Sequence, residues 1–118
     1  MELQMNYELS KIRIKCAEIV GWTYIEQLAF TGIPKGSRGN ADARVIPAFT
    51  ESADAALGLV AWLEKQGWDV HVFFEGGNCS IELLSHSQIP IISSEGKTFP
   101  LVACLAFLKA NNIDPETL

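Results

Sequence analysis

Two residues of this chain are placed to act as an acid–base pair. His71 and Glu82 lie on either side of Gly76 and Gly77. A Gly-Gly pair between alternating residues is a two-residue hairpin signal, and counting outwards from it sets His71 opposite Glu82. Cross-strand neighbours at that separation can share a charge-assisted hydrogen bond. A His–Glu pair does general-base work when a third group and a pocket complete it. Ser80 and Asp69 fall on the same sheet face, so a triad exists in residue type. It has no strained strand-to-helix turn to present a nucleophile. The sequence therefore assigns no catalytic residue, and the pair is read as structural or ligand-binding.

A second candidate is the stretch 32–40, with Gly32, Gly36 and Gly39 among Lys35, Arg38 and Asn40. Glycines let backbone amides approach an anion while Lys and Arg supply charge, so an anion or nucleotide cradle of Lys35, Gly36 and Arg38 is expected, with Arg44 as a third cation. It is not a Walker motif, because no Ser or Thr follows Lys35 and no helix begins there. Segment 31–44 reads as one irregular loop, the kind of segment in which function concentrates.

Metal chemistry finds little support. His71, His86, Cys16, Cys79 and Cys104 match no zinc-ligand spacing. The three cysteines fall on apolar faces, where a thiol behaves as a small hydrophobe. Their odd number and wide spacing suit no disulfide framework and imply a reducing, cytoplasmic setting. Neither a metal nor a cofactor is expected.

A chain of 118 residues makes one domain, here 1–118. It is 48% hydrophobic and 19% charged, which excludes disorder. A formal charge of -5 disfavours a duplex nucleic acid partner, since phosphate binding needs clustered Lys and Arg. Lys11, Arg13 and Lys15 do cluster in sequence. At helical spacing Lys11 and Lys15 share a side while Arg13 points away, so all three read as solvated surface. No signal peptide is expected, because Glu2, Gln4 and Asn6 stand where a basic region and an apolar run would. The apolar run 99–108 is half a membrane span.

The elements that must position these residues follow from periodicity. Leu9, Ile12, Cys16, Ile19 and Val20 give a helix over 7–20, stopped by Gly21, with Trp22 packed back over its end. Residues 23–30 fit neither a period of two nor one of 3.6. Residues 44–49 suggest a short strand, placed at an edge by Pro47. Thr50 or Ser52 caps a second helix with an apolar stripe of Ala53, Ala56, Leu57, Val60 and Leu63, widened by Leu59 and Trp62 and ended by Gly67. The hairpin pairs Phe74 with Cys79, Val72 with Ile81 and Val70 with Leu83 on one face. Its other face pairs Phe73 with Ser80, His71 with Glu82 and Asp69 with Leu84. A third strand over 88–92 and a turn over 93–96 lead to a last helix, capped by Thr98, and a frayed tail over 111–118.

The fold class is thus α+β. The reading is a three-layer alpha-beta-alpha sandwich with a small, mainly antiparallel sheet in the order helix, strand, helix, strand, strand, helix. The last helix carries Leu101, Val102, Leu105 and Leu108 on one stripe, with Ala103, Cys104, Ala106 and Phe107 filling the remainder. A helix apolar all round is buried all round. Either helices one and two cover it, or Leu101, Leu105, Phe107 and Leu108 contact a second copy in a homo-dimer or larger homo-oligomer.

Val20-Gly21-Trp22, the Gly- and Pro-rich segment, Pro47 to Thr50, Lys65-Gln66-Gly67-Trp68, the hairpin and the Ala/Leu-rich closing helix occur in an order that resembles the phage ABA-sandwich domain family. It is more loosely similar to the NinX-like phage proteins. The resemblance covers roughly residues 7 to 110. It implies an alpha-beta-alpha sandwich and a phage or prophage origin, with no activity and no functional residues to transfer. The functional expectation is a small phage-type accessory protein that binds a host protein or a signalling nucleotide, as in counter-defence. Alternatives are a small hydrolase using His71 and Glu82, or a phage structural or assembly protein.

Overall fold

The computed structural model describes residues 8–27, 33–39, 44–85 and 91–118. Its elements run α1 (Leu9–Ile19), β1 (Trp22–Gln27), β2 (Pro34–Arg38), β3 (Arg44–Val45), α2 (Ala53–Lys65), β4 (Trp68–Glu75), β5 (Asn78–Ser85), β6 (Ile92–Gly96) and α3 (Phe99–Ala110). A short 3-10 turn, Pro115–Thr117, follows. The class is α+β. The strands form two antiparallel three-stranded sheets, in the orders β1-β2-β3 and β4-β5-β6.

The hairpin register is the one that the sequence predicts, with Phe74 opposite Cys79, Val70 opposite Leu83 and His71 opposite Glu82. Gly76 and Gly77 both have positive φ, 59° and 80°, the conformation a type I′ turn demands. Among the described residues the third strand of this sheet is β6, Ile92–Gly96. Residues 86–90, with His86, lie outside the described residues, and β6 takes in the stretch 93–96 that reads as a turn. Ser93-Ser94-Glu95-Gly96 has little strand propensity, but β5 holds it through paired backbone from Leu83–Ile92 to Cys79–Gly96. Gly96 also lets α3 approach: a Cβ there would stand 3.1 Å from Val102 Cγ2.

The ambiguous segment 23–30 contains β1, and its ambiguity has a cause. The pairing of β1 with β2 shifts register between Thr23 and Glu26, and a bulge breaks the period of two. Residues 28–32 and 40–43 are outside the described residues. The predicted strand 44–49 is paired only at Arg44 and Val45.

Cys79, Ile81 and Leu83 of β5 are buried, and α2 and α3 pack on the sheet that carries them. Helix α3 touches β5 and β6 and also α2 and α1. It is therefore α3 that is covered on both sides, whereas Phe73 on the opposite sheet face stays 48% exposed. Leu105, Phe107 and Leu108 are buried within one chain and Leu101 is half-buried. Of the two covers that the sequence leaves open for this helix, the chain's own helices and strands bury Leu105, Phe107 and Leu108. The buried stripe of α2 is Ala56, Leu59 and Leu63, while Leu57 is 53% exposed. Its apolar surface is wide enough for two registers, and packing on α3 and β4 selects the one containing Leu59.

The helix ends follow their capping chemistry. The Ser52 hydroxyl accepts from the Ala55 N–H at 3.3 Å. Thr98 holds the N-cap position of α3 without a side-chain hydrogen bond. The tail turns back on the end of α3. Asn112 adopts a left-handed φ of 63°, the Ile113 N–H reaches the Leu108 carbonyl, and the Asn112 N–H reaches the Lys109 carbonyl. That is a Schellman closure with Asn where Gly is commoner. It turns Ile113 and Leu118 back against the core and buries Pro115.

Cys16 on α1 and Cys104 on α3 are neighbours in the core, and all three cysteines are free. The Cys104 thiol beside it, then burial, pushes the Cys16 thiol far above its ordinary range, and burial raises Cys79. A raised folded-state pKa stabilises below the unfolded value and loses that contribution as pH climbs above it. Unfolding should become easier above about pH 8.5, by up to ~1.4 kcal/mol per pH unit for each such thiol. Urea midpoints between pH 8 and 10 test this, and Cys16→Ala should flatten the slope.

Candidate functional site

Sheet alternation divides the residues of the expected anion cradle. Lys35, Gly36 and Arg38 stand on β2, and Arg44 on β3 is paired with Gly36. Side chains alternate along a strand, so Lys35 points to the face opposite that of Gly36, Arg38 and Arg44. Gly36 is buried for a packing reason. A Cβ there would lie 3.1 Å from the Thr23 carbonyl oxygen and 3.1 Å from Ile25 Cγ1.

One member of the set reaches a concave surface. Arg38 is paired with Trp22 across β1 and β2, and both border a cleft of about 240 Å³. Phe49 and Pro47, from the segment after β3, form a second wall, and Trp62 of α2 a third. Along α2, Asp54, Gly58 and Trp62 recur every four residues and so share a helix side. The result is an aromatic cleft with one guanidinium and one carboxylate at its border. Among the described residues no ion pair joins Arg38 to Asp54.

Gly58 is the notable residue of this helix face. A glycine inside a helix costs about 1 kcal/mol relative to alanine. A Cβ at Gly58 would meet nothing within 4 Å, so no neighbour forbids it. What the missing methyl leaves open is the cleft.

The wall opposite α2 is fixed by Arg13. Its Nε donates to the Pro47 carbonyl at 3.1 Å, and its second guanidinium nitrogen donates to the Ile46 carbonyl. Burial lowers the Arg13 pKa and nearby Glu51 partly offsets that. The reading of Arg13 as solvated surface is corrected: its long side chain reaches from α1 to two partly buried carbonyls, of which that of Pro47 also accepts from the Phe49 N–H. Lys11 and Lys15 do remain at the surface, in ion pairs with Glu8 and Glu18.

His71 and Glu82 face each other across the hairpin as expected, with His71 exposed and its ring centroid 6.5 Å from that of Phe73. Among the described residues no group of three His, Cys, Asp or Glu side chains could hold a metal ion. No helix among them is long and apolar enough to cross a membrane. Sequence reasoning missed Trp22, Phe49 and Trp62 as a group. The legible signal was Gly58, a helix breaker inside an otherwise strong helix.

One comparison with known proteins gives a match. The crystal structure of a phage protein from Bacillus cereus ATCC 14579 superposes with a TM-score of 0.66 at 16% identity, covering 97% of each chain. The two share a fold. No family model and no curated relative matches the sequence.

Proposed function

We propose that the chain is a phage-type accessory protein that acts by binding, and that its ligand is a planar aromatic group carrying an anion, as in a nucleotide. The carrying observation is the cleft. Trp62, half-buried, offers ring surface above the buried Trp22 and Phe49 that floor the cleft, and Arg38 and Asp54 stand at its border. An aromatic face supplies stacking of about 1–3 kcal/mol per base without regard to base identity. Arg38 supplies a planar, permanent cation for a phosphate, and Asp54 an acceptor for hydroxyl or amino donors. The volume suits one ring system, with any charged portion outside. Fold likeness to a phage protein supports the phage assignment, and sequestration of a signalling nucleotide in a host cytoplasm is the form of counter-defence that fits this chemistry. The reading requires no reaction and gives His71 and Glu82 no catalytic task.

Gly58→Ala and Arg38→Ala test it. Thermal shifts against mono- and cyclic nucleotides should show stabilisation of the parent chain, which rises with ligand over Kd. Gly58→Ala should raise the ligand-free stability by about 0.5–1 kcal/mol while abolishing the shift. Opposite signs for stability and binding in one variant cannot come from misfolding. Arg38→Ala should leave stability nearly unchanged and weaken binding about tenfold. No shift across the panel overturns the nucleotide reading.

A second reading, docking of a host protein or a second copy, is favoured by Phe74, 71% exposed at the hairpin end beside Phe73. Serine at both positions should remove such binding and leave nucleotide shifts intact.

A further inference from the structure

Among the described residues β4 stands at an edge of its sheet, with β5 on one side and no strand on the other. Glu75 and Asn78 flank the two-residue turn, so they form a hydrogen-bonded pair. Such pairs alternate along an antiparallel ladder. His71 and Phe73 therefore direct N–H and C=O towards β5, while Val72 and Phe74 direct theirs away from it. The side chains of Val72 and Phe74 project on the sheet face of Ile81 and Cys79, which α2 and α3 cover, yet both are exposed. The helices stop short of this edge and leave room beside it for another strand. Phe73 is exposed on the opposite face. Apolar side chains on both faces of an open edge mark an interaction surface.

We infer that β4 pairs antiparallel with β4 of a second copy about a two-fold axis through Phe73, which rests on the docking reading of Phe74 and names its occupant. Outward backbone groups must meet outward groups, so the axis passes through a residue and not between two. Centred on Phe73, Val72 stands opposite Phe74 of the second copy, where the two exchange both backbone hydrogen bonds, and the axis repeats the exchange. His71 then stands opposite Glu75, an N–H donor facing a carboxylate on one sheet face. Phe73 meets its own copy in a non-hydrogen-bonded pair, where side chains approach most closely. The other centres complement less well. An axis through Val72 sets Asp69 against Glu75, two carboxylates. One through His71 sets Asp69 against Phe73, and one through Phe74 sets Phe73 against Glu75. One through Val70 joins Asp69 to His71 but leaves Phe73 and Phe74 opposite Gly67 and Gln66, without apolar partners. Charge and apolar surface are both matched in the Phe73 register alone.

Light scattering of the full chain from micromolar to submillimolar concentration tests the pairing. A mass approaching twice that of one chain is expected. Val72→Pro removes an outward N–H, leaves the bonds to β5 in place and should raise the dimer dissociation constant about tenfold or more. Circular dichroism confirms that the variant folds. A cysteine scan reads the register independently, since the three native cysteines are buried. Under oxidised glutathione, Phe73→Cys should form an inter-chain disulfide several-fold faster than His71→Cys or Val72→Cys, because only position 73 faces its own copy at bonding distance. A chain that stays monomeric overturns the inference, and contact with a host protein through Phe73 and Phe74 would then be the surviving form of the docking reading. A dimer left intact by Val72→Pro is joined elsewhere and also overturns it. Fastest cross-linking at position 71 or 72 overturns the register, and it does so even if Val72→Pro fails to fold.

Discussion

Phe107→Ala is expected to lower the free energy of unfolding by about 3–5 kcal/mol. The side chain is fully buried at 0% exposure, in a helix that contacts α1, α2, β5 and β6. No single neighbour can collapse into the space, so both the transfer and the cavity contributions are lost. A domain of this size holds only about 5–15 kcal/mol in all, so the variant sits near the threshold of folding at ambient temperature. Urea unfolding followed by circular dichroism measures the loss. Leu57→Ala on α2 is the internal control: the side chain is half in water and its loss should stay below about 0.5 kcal/mol. Comparable losses at the two positions would mean that α3 is not the centre of the core.

Arg13→Ala is the second large effect. Hydrogen bonds from a charged donor contribute about 1.5–3 kcal/mol each, and this guanidinium makes two, to the carbonyls of Ile46 and Pro47. A total loss of about 2–4 kcal/mol is expected, because the freed carbonyls recover some of it from water. Arg13→Lys should restore only part, since an ammonium does not reproduce the planar fork. The same change releases the wall bearing Pro47 and Phe49, so intrinsic fluorescence of Trp22 and Trp62 should shift to the red before global unfolding. Lys11→Ala, which breaks only an exposed 3.6 Å ion pair with Glu8, should be nearly silent.

The second half of the chain was legible in the sequence because its signals are local. Gly76-Gly77 admits one turn type, and the turn alone sets every cross-strand pair down to Asp69–Leu84. Ser52, Gly67 and the all-apolar run 99–108 mark helix ends and burial without tertiary information. The first half was not legible, because its order is imposed from outside. β1 hides behind a bulge, β2 has the composition of a loop, and β3 is two residues long. Basic residues near glycines suggest a cradle, and only pairing reveals that Lys35 and Arg38 point apart. Arg13 was misread because its partners are 33 and 34 residues away, beyond any periodic pattern. The cleft shares this difficulty: Trp22, Phe49 and Trp62 come from three separate elements.

The outer strand β4 has a consequence for handling the protein. It offers one backbone edge over eight residues, with no Lys or Pro to blunt it and with Phe73 and Phe74 protruding. Asp69 and Glu75, near its two ends, act as gatekeepers: ribbons stacking side by side would bring like charges together. Concentrated salt screens that repulsion, so ribbon-to-ribbon clumping should set in there first, and dilute buffers should keep the preparation clear.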